Sequence, residues 1–405
     1  MIVKRVIKNI SEIVETGIDL FLRRYPSFVY GGLLDKNEVP VFNLHSVEYE
    51  KFEKQLQFLS LNDYNTLTTE ELYDIIQYKR TVPERSILLT FDDGMGSVWS
   101  IAYPLLKKYG FRATVFIIPG RIERQRNYYP NLEDFWEKRA KIEEVKARES
   151  GIQPMITWEE ITIMHNSGII DFQSHTLNHA LVFTSPKIID FVNPGFLSSF
   201  SVFEIPMIRE NGHDLVVYKP ELGTPLYSSQ PRLSGARRYF DDEALRKKCI
   251  SFVEENGGAE FFKKNSWRRE LFRVIREYRE QIGEDTGIYE TDSEIREAIL
   301  TELIESKRII EEYLPGKEVR HLCYPWNCGS DLALELSKEA GYFSNFGAKF
   351  NNRFITRIGD APYQIARVSE DFFFLLPGRD RISLTKVILE KFRYRFKSGS
   401  AYLTH

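Results

Sequence analysis

A chain of 405 residues is long enough for two or three domains of ordinary size and for a core that needs no disulfides. Its 55 Lys and Arg against 58 Asp and Glu leave a net charge of −3, so no global field draws it to nucleic acid. With 42% hydrophobic and 28% charged residues it has the balance of a globular protein and not a disordered one. The three cysteines, Cys249, Cys323 and Cys328, give no disulfide framework and fit a reducing compartment.

At the amino terminus Ile2, Val3, Val6, Ile7, Ile10, Ile13, Val14, Ile18 and Phe21 recur at helical spacing, with Lys4, Arg5, Lys8, Arg23 and Arg24 at the ends. Residues 1–38 therefore read as an amphipathic helix and a linker, either packed on the main body or lying in a membrane interface. Glu12, Glu15 and Asp19 interrupt the apolar stretch that a secretory signal would need. No apolar run approaches the roughly 18–20 residues that cross a bilayer.

From residue 39 short apolar runs alternate with helical patterns, the signature of βα units. Strands are predicted over 39–45, 86–91, 113–118 and 168–173, with helices over 49–60, 97–109 and from 157 onward. After His179 the rhythm breaks. Residues 181–292 hold six prolines and then charged helical segments. In one of these Trp267, Leu271, Val274, Ile275, Tyr278 and Ile282 form an apolar stripe of the kind that packs a core. The unit pattern resumes with a helix over 293–313, a strand over 319–324, a helix over 330–340, a strand over 343–346 and an apolar run over 364–368. The reading is one α/β barrel domain over 39–376, interrupted by a large, mostly helical insertion over 181–292. A basic carboxyl-terminal tail over 377–405 follows, with seven Lys or Arg between 379 and 397 against Asp380 and Glu390.

Asp92 and Asp93 end a predicted strand immediately before Gly94, and His175 and His179 follow another. In barrels built from βα units the active groups come from this end of the strands. Two imidazoles at this spacing can converge on one cation, and a carboxylate from another strand completes a facial triad. If Asp93 joins the two histidines, Asp92 is left to accept a proton from the attacking water. That combination describes metal-assisted hydrolysis of an amide or ester.

Thr90, Phe91, Asp92, Asp93 and Gly94, followed by His175, Thr176, Leu177, Asn178 and His179, resemble the T-F-D-D-G and H-[ST]-x-x-H motifs of the polysaccharide deacetylases, the NodB-homology group of carbohydrate esterase family four. The likeness runs over about 39–180 and 293–368. It implies a distorted (β/α) barrel that removes N-acetyl groups from amino sugars, with Asp92 as base and Asp93, His175 and His179 as ligands. The implied cofactor is a divalent metal, zinc by default, with cobalt, nickel or iron also compatible with the donor set. Leu322, Cys323, Tyr324, Pro325, Trp326 and Asn327 resemble the family's Y-P-[YFW]-G motif, with Asn327 where glycine is usual. That motif gives Tyr324 and Trp326 a substrate or oxyanion role.

The arginine of the R-P-P-Y form is absent because Cys323 takes its place, and Arg367 is the candidate to orient Asp92. Cys323 and Cys328 read as ordinary thiols near the barrel rim. The family's closing L-x-L-H histidine is missing as well. The first strand instead ends at Leu44, His45 and Ser46, which resembles the poly-N-acetylglucosamine deacetylases and implies His45 as general acid. The expected partner is an N-acetylated amino-sugar glycan, or a lipid- or nucleotide-linked precursor, with no nucleic acid and with peripheral membrane contact through the basic ends. The expected location is cytoplasmic, at the inner membrane face. Two alternatives stay open: hydrolysis of a non-carbohydrate amide or ester on the same centre, and a catalytically decayed glycan-binding protein.

Overall fold

The computed structural model describes residues 14–123, 127–150, 154–197, 203–217, 219–282 and 288–397, with side chains as far as 391. The first part of the amino-terminal helix and the last eight residues of the tail lie outside this range. The chain divides into two compact units. One is formed by 1–177, 303–327 and 337–400, and the other by 178–302, 328–336 and 401–405.

The first unit is a parallel barrel. Its strands are β1 (Val41–Leu44), β2 (Asn65–Thr66), β3 (Ser86–Phe91), β4 (Ala113–Ile117), β5 (Ile170–Ser174), β6 (His321–Cys323), β7 (Ser344–Gly347), β8 (Ile365–Ala366) and β9 (Val368–Ser369). The spatial order is β8-β7-β6-β5-β4-β3-β1-β9, with β2 beside β3. Every residue of β3 and β4 is buried, as expected for strands covered on both faces. Val41, Leu88, Phe116, Cys323, Phe346 and Ile365, from six different strands, belong to one apolar cluster.

The sheet is nearly closed, and one segment makes the seam. Ile365 and Ala366 pair with Phe346 and Gly347 of β7, while Val368 and Ser369 pair with Phe42 and Asn43 of β1. Arg367, the single residue between the two edges, is 1% exposed. The junction between β5 and β6 is thin, with Leu322 and Ser174 as its one register pair. Gln173 supplements it, because its Oε1 accepts the backbone N–H groups of Arg320 and His321. A side chain thus stands in for part of the ladder.

Helices α1 (Tyr49–Leu61) and α2 (Thr69–Ile76) follow β1 and β2. α2 begins with a capping box, in which the Thr68 hydroxyl accepts from the Glu71 N–H and the Glu71 carboxylate accepts from the Thr68 N–H. The helix predicted over 97–109 opens with a π-helical turn at Val98–Ala102 and continues as α3 (Tyr103–Tyr109), which ends on left-handed Gly110. The tail is ordered where it is described. Residues Leu384–Lys397 form a helix, and Lys391 pairs with Asp371. No helix of the described residues is long and apolar enough to cross a membrane.

The second unit keeps the helices expected of the insertion and adds strands to them. Its later part is helical as expected, with Glu243–Glu255 and Trp267–Ile282. Its earlier part is stranded: Leu181–Phe191 runs antiparallel to Pro225–Pro231, and Ile208–Glu210 to His213–Leu215. Turn prolines and register shifts hid these strands, since neither leaves a clean period of two. Trp267, Leu271, Val274 and Ile275 pack with Phe191, Leu245, Cys249 and Val253, so the apolar stripe is core. Arg232 Nη1 donates to both carboxylate oxygens of buried Glu290 at 2.8 Å, which ties the strands to the segment before the helix at Asp292–Tyr313.

Candidate active site

Parallel strands end together at one rim, and the ladder carries the motif residues onto it. The Asp92 N–H donates to Leu44 O at 2.9 Å and the His175 N–H to Ile117 O at 2.8 Å, so each residue extends its strand by one register. The chain then turns sharply. Asp93 has φ 69° and Gly94 φ 78°. Aspartate tolerates the left-handed region, and glycine is needed next to it because a Cβ there would lie 3.0 Å from Ile117 Cγ2. Thr176 and His179 also have positive φ, 64° and 52°, which marks the second motif as a strained turn.

Asp92, Asp93, His175 and His179 are all buried. One donor atom from each of Asp93, His175 and His179 lies within 4.8 Å of the others. The His175 ring is oriented by Nδ1, 2.9 Å from Cys323 O. A carbonyl only accepts, so Nδ1 carries the proton and Nε2, 3.5 Å from Asp93 Oδ1, keeps its lone pair. Two imidazoles and a carboxylate so arranged fit a divalent transition metal. Burial first, and then the Asp92 charge, push the Asp93 carboxyl up to about 8, while the buried Arg121 guanidinium pulls the other way. A bound cation would reverse that upward shift.

Asp92 is gripped by Arg367, with Nη1 to Oδ1 and Nη2 to Oδ2 both at 2.7 Å, and Arg367 Nη1 also reaches Thr90 Oγ1 at 3.3 Å. Burial alone would raise this carboxyl. The Arg367 charge, with His175 and His45 beside it, outweighs burial and holds Asp92 below the usual carboxylate range. The expectation that Arg367 orients Asp92 therefore has a direct geometric basis. His45 follows β1, with Nε2 3.9 Å from Asp92 Oδ2 and its side chain 28% exposed. Loss of hydration pulls its imidazole down to about 4, against the opposing charge of Asp92.

The third motif is mixed. Tyr324 is buried, its hydroxyl accepts from Asn345 Nδ2 at 2.6 Å, and its N–H donates to Phe346 O, so it packs between β6 and β7. Trp326 and Asn327 sit at the turn after β6 with φ 57° and 52°. Asparagine is the residue that best replaces glycine at such φ, which explains the departure at 327. Cys323 lies at the rim as expected, but it is not an ordinary thiol. It is fully buried, with Sγ 3.6 Å from Asp92 Oδ2, and burial raises its pKa well above the ordinary value. It forms a second possible donor set with Asp92 and His175. Sequence reasoning also passed over Arg121. The signal for it was an arginine three residues past the Ile118 strand end, on the same rim.

The parallel barrel brings an Asp-Asp pair and a His-x3-His turn together on one rim, and known proteins resemble the chain there. Residues 79–189 match the polysaccharide deacetylase family model. The poly-beta-1,6-N-acetyl-D-glucosamine N-deacetylase of Staphylococcus aureus (strain MSSA476) is 31% identical over 134 residues, 33% of this chain and 37% of that protein. YxkH of Bacillus subtilis (strain 168) is 35% identical over 89 residues, 20% of this chain and 32% of that one. The matches thus span about a third of the length of these relatives. Among solved structures, the BpsB deacetylase domain from Bordetella bronchiseptica superposes with a TM-score of 0.50 at 17% identity, covering 83% of this chain and 96% of that one. That likeness shows a shared fold.

Proposed function

We propose that the protein is a metal-dependent hydrolase that removes N-acetyl groups from the amino sugars of a polysaccharide or of a lipid- or nucleotide-linked precursor. The observation that carries the reading is the convergence of Asp93, His175 and His179 beside an Asp92 held ionised by Arg367. A divalent cation held by these three residues, zinc or one of cobalt, nickel and iron, would supply Lewis acidity toward the amide carbonyl and the attacking water.

The protein groups do the remaining work. Asp92 stays charged across the physiological range and accepts the water's proton. Because its basicity is low, it depends on the water being acidified. His45, neutral near pH 7 by its lowered pKa, sits 3.9 Å away and can take that proton from Asp92 and hand it to the departing amine. The Trp326 N–H, in its left-handed turn after β6, would donate to the oxyanion. The three cysteines are all free, which supports the cytoplasmic location proposed with this activity.

The test pairs elemental analysis of the purified protein with acetate release from N-acetylglucosamine oligosaccharides, including β-1,6-linked ones. One bound divalent ion and measurable acetate are expected. A metal-loaded protein that releases no acetate from any N-acetylated sugar, oligosaccharide or lipid-linked precursor would overturn the reading in favour of a glycan-binding role.

A further inference from the structure

The described part of the amino-terminal helix, residues 14–21, and the residue that follows it turn Val14, Ile18, Phe21 and Leu22 to solvent. Their spacing, i, i+4, i+7 and i+8, puts them on one face. Phe21 is 86% exposed, and Leu33, just beyond, is 77% exposed. The other side of this helix is already occupied. Asp19 is buried and accepts from Arg24 Nη1 at 2.6 Å and Lys349 Nζ at 3.3 Å, and Tyr25 stacks on Phe354 at 4.4 Å. The apolar stripe is therefore surplus to the packing of the helix on the barrel.

Two cations adjoin this segment. Arg23 follows the stripe and lies over Tyr30 at 5.4 Å, while Arg381 Nη1 and Nη2 donate to Gly31 O and Phe28 O. Arg379, Arg381 and Lys386 open the segment 379–397, whose seven Lys and Arg face only Asp380 and Glu390 in sequence. None of Arg23, Arg379, Arg381 and Lys386 makes an ion pair with a carboxylate among the described residues. Exposed apolar side chains with the Arg23 and Arg381 guanidinium groups beside the same segment match a bilayer with anionic headgroups, where the chains enter the acyl boundary and the cations meet phosphates.

We propose that this face is a docking surface for an anionic membrane. The helix is fastened to Lys349 and Phe354, in the loop that leaves the carboxyl end of β7. This proposal deepens the reading of a membrane-linked substrate, yet its test does not depend on catalysis.

The full chain is co-sedimented with phosphatidylglycerol-containing vesicles and with pure phosphatidylcholine vesicles, at low and high salt. Binding to the anionic vesicles that weakens with salt is expected. The pair Ile18→Ser with Phe21→Ser should lower the partition coefficient at least about tenfold. The pair Arg23→Glu with Lys386→Glu should weaken binding to anionic vesicles alone. All four side chains point away from the core, and unchanged thermal unfolding confirms that the variants are folded. The proposal fails if the parent ignores phosphatidylglycerol or if Ile18→Ser with Phe21→Ser binds as the parent does. It also fails if sedimentation velocity shows a self-association that the same serine pair abolishes, since a second copy would then be the occupant.

Discussion

Asp92 has to remain charged in a buried pocket and still accept a proton, and Arg367 sets the balance between these demands. Replacing Asp92 with Asn should cut acetate release by about 10²- to 10⁴-fold while the metal content of the purified protein stays the same. Arg367→Gln removes the charge that holds Asp92 low. The base pKa then rises, and the acidic limb of the kcat/KM profile should move to higher pH. Arg367→Lys keeps a charge but loses the fork, so activity should fall with much less movement of that limb. Because Arg367→Gln leaves a buried carboxylate without its partner, urea unfolding should also show a loss of about 3–5 kcal/mol. Much of this was legible in the residues themselves, since strand-end Asp and His types at fixed spacing point to a cation. The position of Cys323 was not, because a thiol in a sequence gives no sign of the carboxylate it will lie against.

The elements that hold the rim apart from its far end can be tested on their own. At that far end the His321 ring is fully buried, with Nε2 2.8 Å from Glu70 Oε2 of α2 and Nδ1 2.7 Å from Ser344 Oγ. Glu70, bonded by His321 and then by Arg320, is drawn down from 4.5 to about 2. A depressed acid stabilises the fold above its unfolded pKa and loses that contribution as pH falls through its folded one. Glu70→Gln should therefore lower stability at pH 7, and the difference from the parent should shrink below pH 4.5 and vanish near pH 2. Solvent screening at this half-exposed carboxylate keeps the effect small. At the rim, Gly94→Ala meets both a positive φ and Ile117. It should cost about 1–2 kcal/mol in urea unfolding and lower metal affinity with it. Strands such as β3 were readable because they are apolar throughout. The Gln173 bridge between β5 and β6 was not, since a polar side chain doing the work of a ladder has no period.

At the scale of the whole molecule, alternating βα units and two motifs in order were sufficient to predict the barrel and the break after His179. The internal build of the insertion escaped, because its strands pair across a proline-rich stretch with shifted registers. The seam at 365–369 is the other feature that periodicity could not show, being two dipeptides on opposite edges of the sheet. It has a consequence in time. Asp92 and its guanidinium are 275 positions apart in the sequence, so a ribosome must add that whole stretch after Asp92 before the two can meet. A nascent chain stalled before residue 367 would possess both histidines and both aspartates and still lack a ring to hold them. Translation through residue 367 is thus the point after which Asp92 can be gripped.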